Sequence, residues 1–119
     1  MVDLDKILKE VISDAAKIGF PVSNNLERKI YLDTKIYDRV GACYRYPFPE
    51  KYEIHLSKPI LHAQIEEIKN IVAHEVLHAS LFTMDHGFIW SMYKNRMNTK
   101  MKYNIKIKYS WHEVLKGGK

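Results

Sequence analysis

The chain has 119 residues, 46% of them hydrophobic and 28% charged. That balance suits a globular domain and excludes a disordered one. The formal net charge is +5, and eight basic side chains against one acidic fall from Lys94 onward. The excess therefore belongs to the last quarter, where it can meet phosphates or simply face water.

Length predicts one domain over residues 1–119 with a single core. No apolar run approaches the roughly 20 residues that cross a bilayer, so no membrane association is expected. The acidic start Met1-Val2-Asp3-Leu4-Asp5-Lys6 lacks the basic and apolar regions of a secretory leader. One cysteine, Cys43, excludes an internal disulfide and any multi-cysteine zinc site. A reducing, cytoplasmic setting is expected.

In chain order, Asp3 to Ile18 reads as an amphipathic helix. Leu4, Ile7, Leu8, Val11, Ile12 and Ala15 recur at three- and four-residue steps. Gly19 suits the helix end, and Pro21 blocks its resumption. Strand-like segments follow at Lys29 to Asp33, Ile36 to Tyr46 and Tyr52 to Ser57. In the last, Tyr52, Ile54 and Leu56 alternate with Glu53, His55 and Ser57, and this strand is expected to offer an edge to an extended peptide. Pro47 and Pro49 mark the turn before it. Ala63 to about Met84 predicts a second, mostly buried helix. Ile65, Ile68, Val72, Val76 and Ala79 form its stripe, widened by Ile71, Leu77, Leu81 and Phe82. Gly87 to about Met97 predicts a third helix. Tyr103, Ile105, Ile107 and Tyr109 alternate with Asn104, Lys106 and Lys108 as an edge strand would. Trp111 to Lys116 suggests a short helical turn. Helices at both ends of a few strands predict an α+β domain.

The chemistry lies in His74-Glu75-Val76-Leu77-His78. Residues four apart on an α-helix stand about 40° apart around the axis and about 6 Å along it. Two imidazoles so placed can share a metal ion at about 2.0–2.1 Å. Glu75, one step from His74, flanks the ion and can take a proton from bound water. Chance would put two His and a Glu at these offsets in roughly 2% of shuffles of this composition. An apolar helix is also where unpaired His and Glu are least welcome. The plain alternative is a pair of hydrogen-bonded core histidines.

A catalytic zinc usually takes a third protein ligand and keeps one position open for water. Candidates are His55, His62, His86 and His112, with the carboxylates of Asp85 and Glu113. His86 is favoured. A continuing helix would carry it about 12 Å beyond His78, so the chain must break near Thr83-Met84-Asp85 and fold back. Asp85 could instead cap the following helix. The second donor to a reacting carbonyl stays open among Tyr44, Tyr93 and His112.

His74-Glu75-x-x-His78 followed by His86-Gly87-x-x-Trp90 resembles the SprT-like (Spartan-like) zinc metallopeptidase domain. Arg39-Val40-Gly41-Ala42-Cys43 and Ile54-His55-Leu56-Ser57 resemble two upstream stretches of that family. The resemblance spans roughly Asp3 to Asn98. It implies a compact zincin-like domain with an N-terminal helix, a small mixed or antiparallel sheet, the motif helix and a following helix. It implies one catalytic Zn2+ held by His74, His78 and His86, with Glu75 as general base, and structural roles for Gly87 and Trp90. Cys43 is expected in the core. Family members cleave proteins crosslinked to DNA, so a protein or peptide substrate is implied, with DNA as a second partner. The chain departs from many members in its short gap between His78 and His86. It also has no cysteine zinc ribbon, leaving Lys100, Lys102, Lys106 and Lys108 as the residues able to meet DNA.

Two other enzyme readings stay open. One is another zincin group with a carboxylate third ligand. The other is the bacterial rRNA-maturation metalloprotein family, echoed by Asp85-His86 but carrying Gly where Glu75 stands. A non-catalytic DNA- or protein-binding module with a structural zinc is the contrasting reading.

Overall fold

The computed structural model describes residues 2–34, 39–80 and 83–115. It is an α+β fold in which two helices cover one face of a three-stranded mixed sheet.

Helix α1 spans Leu4–Lys17. Asp3 caps it by accepting the Lys6 N–H at 3.0 Å. It ends where Gly19 takes φ +84°. Gly19 N–H then donates to the Ala16 carbonyl and Phe20 N–H to that of Ala15, so the last turn is closed and Phe20 is folded into the core. Leu8 and Val11 are fully buried.

Strands β1 (Leu26–Asp33), β2 (Gly41–Pro47) and β3 (Glu50–Ser57) pair in the order β1-β3-β2. β2 and β3 form an antiparallel hairpin around Phe48-Pro49, and β1 runs parallel to β3. The expected segment from Ile36 begins outside the described residues. β3 is the central strand, not an edge, because both its sides are already hydrogen-bonded. Among the described residues the sheet's edges are β1 and β2. Asp5 occupies part of the first by accepting the Ile30 N–H at 3.0 Å. Period-two alternation puts Tyr52, Ile54 and Leu56 under the helices, fully buried.

A 3₁₀ turn, Lys58–His62, leads to helix α2, Ile65–Val76. Ile68, Ile71, Val72 and Val76 are fully buried, whereas Ile65, in the first turn, is mostly exposed. The helix is shorter than its apolar run predicts. After Val76 the backbone tightens, with His78 N–H on the Glu75 carbonyl and Ala79 N–H on that of Val76. The reason is tertiary. The His78 ring is tied to the carbonyl of Thr83, and that bond needs the chain to turn back. Leu81 and Phe82, expected to widen the stripe, lie outside the described residues.

Helix α3 spans Phe88–Lys100. Only Trp90 and Met97 on it are buried, and Phe88 is 84% exposed. The alternating stretch from Tyr103 to Tyr109 is not a strand. From Asn104 to Lys106 its backbone groups pair with side chains instead of a neighbouring strand. Asn98 donates to the Ile105 carbonyl at 3.1 Å and accepts the Ile105 N–H at 2.8 Å, while Asn70 accepts the Asn104 N–H at 3.0 Å. The short helix α4, Trp111–Val114, follows, capped by Ser110. No helix among the described residues is long and apolar enough to cross a membrane.

Candidate metal centre

The last turn of α2 and the bend after it bring three imidazoles together. The Nε2 atoms of His74, His78 and His86 form a triangle with edges of 3.4, 3.1 and 3.0 Å. Ligands on a tetrahedral zinc at 2.0–2.1 Å stand about 3.3–3.4 Å apart. The triangle is within a few tenths of an ångström of that spacing. With its lone pairs turned inward, this donor set could hold one metal ion.

Backbone carbonyls decide which nitrogen faces the centre. His74 Nδ1–H donates to the Lys106 carbonyl at 2.7 Å, and His78 Nδ1–H donates to the Thr83 carbonyl at 2.6 Å. A carbonyl only accepts, so each Nδ1 carries the hydrogen and each Nε2 keeps its lone pair. Burial lowers the pKa of His74 to about 3 and that of His78 to about 4, which keeps both rings neutral.

Trp90 floors the site. Its ring lies parallel to His78 at 5.3 Å and edge-on to His74 and His86 at 4.8 Å. Its indole N–H reaches the His74 carbonyl, 3.4 Å away, a group the tightened end of α2 leaves without a helical donor. Asp85 accepts the Gly87 N–H at 3.0 Å, so it holds the bend ahead of α3 and does not cap the helix at its N-cap position, which is Gly87. A Cβ at Gly87 would stand 2.9 Å from the Oδ1 of Asp85, an exposed side chain that can turn aside.

The triangle opens into a cleft of about 350 Å³. Glu75 lies in its wall, only 6% exposed. Burial raises its pKa to about 8, against a smaller pull from the charge of Arg39. Its carboxylate sits beneath β2, where a Cβ on Gly41 would come within 3.4 Å of Oε2 and 2.9 Å of the Leu56 Cδ2. Cys43, on the same strand, is half-buried: it packs against the core cluster, as expected, and also lines the cleft. Burial pushes its thiol up to about 12, so it is not a ready nucleophile.

The other sequence candidates lie elsewhere. His55 sits on the outer face of the sheet between Tyr31 and Tyr44, its Nε2 3.0 Å from Glu53. His62 and His112 are exposed, and Glu113 pairs with the Lys106 ammonium at 3.4 Å. Tyr44 and Tyr93 do not line the cleft, and Tyr93 packs edge-on against Phe20. The lysines disperse. Lys100 flanks a groove on α3, Lys102 a hollow beside α2, and Lys108 the cleft itself. Sequence reading missed the carbonyls of Lys106 and Thr83, which leave no side-chain signature. It also missed Tyr109, which lines the cleft with its ring edge-on to His74 at 5.7 Å. Burial and nearby carboxylates raise the pKa of that phenol.

No curated protein matches the chain in sequence. The SprT-like family model matches residues 8–110, so the chain belongs to the SprT-like family, a family of metallopeptidase type, and its three-histidine group could hold a metal ion.

Proposed function

We propose that this chain, acting as one unit over residues 1–119, is a zinc-dependent endopeptidase. The observation that carries the reading is the convergence of three Nε2 atoms beside a buried carboxylate in one open cleft. His74, His78 and His86 would hold the ion. A closed structural site would need a fourth protein ligand, and no other His, Cys, Asp or Glu joins this group among the described residues. When bound, zinc makes a water nucleophilic at neutral pH and polarises a carbonyl.

Glu75 handles the proton. The water oxygen bonds to the peptide carbonyl carbon as one water proton passes to a Glu75 Oε. That proton then goes to the amide nitrogen as the C–N bond breaks, leaving a carboxylic acid and an amine. Burial suits Glu75 to hold a proton near neutral pH, and a cation beside it would draw its pKa back down. The cleft runs along Gly41 to Cys43 on edge strand β2. An extended substrate chain can add to that edge through main-chain hydrogen bonds.

DNA-bound proteins are the substrate class toward which the basic segment from Lys94 points, and Lys108 is the cation of that segment that lines the cleft. A single cysteine suits a reducing, cytoplasmic setting. The test is cleavage of a loosely folded protein, free or DNA-bound, before and after chelation. Glu75→Gln should keep its zinc and lose about 10²–10⁴-fold in turnover. Wild-type turnover in that variant would remove Glu75 from the mechanism. Salt-sensitive DNA binding without any cleavage would favour a binding module.

A further inference from the structure

We propose that Tyr109 is the second hydrogen-bond donor to the substrate carbonyl, and that Lys106 positions it together with His74. The inference rests on the peptidase reading above and deepens it. Attack by water places negative charge on the carbonyl oxygen, and catalysis gains most from a donor already aimed at that charge. Apart from the histidines, the cleft side chains able to donate are Arg39, Cys43, Lys108 and Tyr109. Cys43 is a weak donor. Arg39 and Lys108 are exposed, and each carries its charge at the end of a stem with many rotatable bonds. Tyr109 alone among the four is a rigid ring with a single proton at its tip.

Its setting is fixed from two sides. The ring rests edge-on against His74, and the phenol oxygen accepts the Lys106 N–H at 3.0 Å. That bond uses an acceptor position and leaves the O–H to donate. Among the described residues no protein group accepts it. The Lys106 carbonyl meanwhile takes the His74 Nδ1–H. One residue's backbone thus bonds both the His74 ring and the phenol of a residue that lines the same cleft. Asn98 holds that residue in place through both backbone groups of Ile105.

The experiment is Tyr109→Phe, which keeps the ring and removes the O–H. Three quantities are read: steady-state kinetics on an unfolded protein substrate, zinc affinity by competition with a chelator, and calorimetric binding of a phosphinic peptide that mimics the tetrahedral carbon. Loss of one such donor costs about 10²–10³ in kcat. The expected result is that loss with KM little changed, an equal loss in phosphinate affinity, and zinc affinity within about threefold of wild type. Wild-type phosphinate binding and turnover in Tyr109→Phe would overturn the proposal. So would a fall in zinc affinity matching the fall in turnover, since Tyr109 would then act only by holding Lys106 and His74. A wild-type protein that binds zinc yet neither cleaves nor binds the phosphinate would overturn the peptidase reading and this one with it.

Discussion

Helix α2 and the segment 101–110 meet at His74, and they hold their shapes by opposite means. α2 satisfies its own backbone through the helical ladder and buries Ile68, Ile71 and Val72 in the core. Its conformation follows from neighbours three and four residues away. The segment 101–110 has strand-like alternation but no strand to pair with. Its first N–H groups, on Met101 and Tyr103, return to the Met97 carbonyl, and from Asn104 to Lys106 its peptide groups are held by the side chains of Asn98, Asn70, His74 and Tyr109. The Asn98 amide stands in for a neighbouring strand by bonding both the N–H and the carbonyl of Ile105. The lesson is that a ligand can be placed by local periodicity and still be aimed by a segment 32 residues away. The helix brings the His74 ring to the site. The segment decides which nitrogen faces the other two imidazoles.

The comparison can be broken most directly at the bend. His86→Ala removes the one donor that neither region supplies, and zinc affinity should fall by at least about 100-fold. Chelator competition measures it. Retained zinc would mean that α2 supports the ion without the bend.

Asn98→Ala separates the two regions. It leaves a buried peptide group unpaired, which costs about 1–3 kcal/mol. It should also weaken zinc binding about 10–100-fold by freeing the carbonyl that orients His74. Ile68→Val, within α2, should cost about 0.5–1.5 kcal/mol and leave zinc affinity alone. Denaturant melts with parallel zinc titrations decide it. Equal effects on zinc from both variants would erase the distinction.

Gly41→Ala sharpens the view of the cleft wall. The added methyl would press on Leu56 and on the His55 carbonyl and would touch the Glu75 carboxylate. Overpacking of this kind costs about 1–3 kcal/mol. The informative readout is a fall in turnover larger than the loss of stability accounts for at the assay temperature.

The smallest effect concerns pH in the metal-free protein. Glu75 has a folded pKa of about 8, above its ordinary 4.5. Its contribution favours the fold below the ordinary value and is lost as pH rises through about 8. His74 and His78 behave oppositely. Their pKa values drop from 6.5 to about 3 and about 4, so their contribution holds above 6.5 and fades as pH falls. No single pH satisfies all three groups. Metal-free Glu75→Gln should therefore melt several degrees higher than metal-free wild type at pH 9, with the gap closing by pH 5. A gap independent of pH would show that Glu75 is not held in a desolvated setting.

Sequence alone determined the α+β class, the family, the start and end of α1, and the spacing that puts His74 and His78 on one helical face. All of these depend on residues close together in the chain, or on side-chain types that periodicity or motif exposes. Tertiary structure decided the rest. It ended α2 at Val76, because the Thr83 carbonyl claims the His78 ring. It made β3 the central strand and β2 an edge, a choice that alternation along one strand does not encode. It denied a ladder to the residues between Tyr103 and Tyr109 and gave their backbone to His74 and Tyr109 instead. Backbone carbonyls are the same at every position in a chain. What they bind is therefore written only in the fold that brings them near a partner.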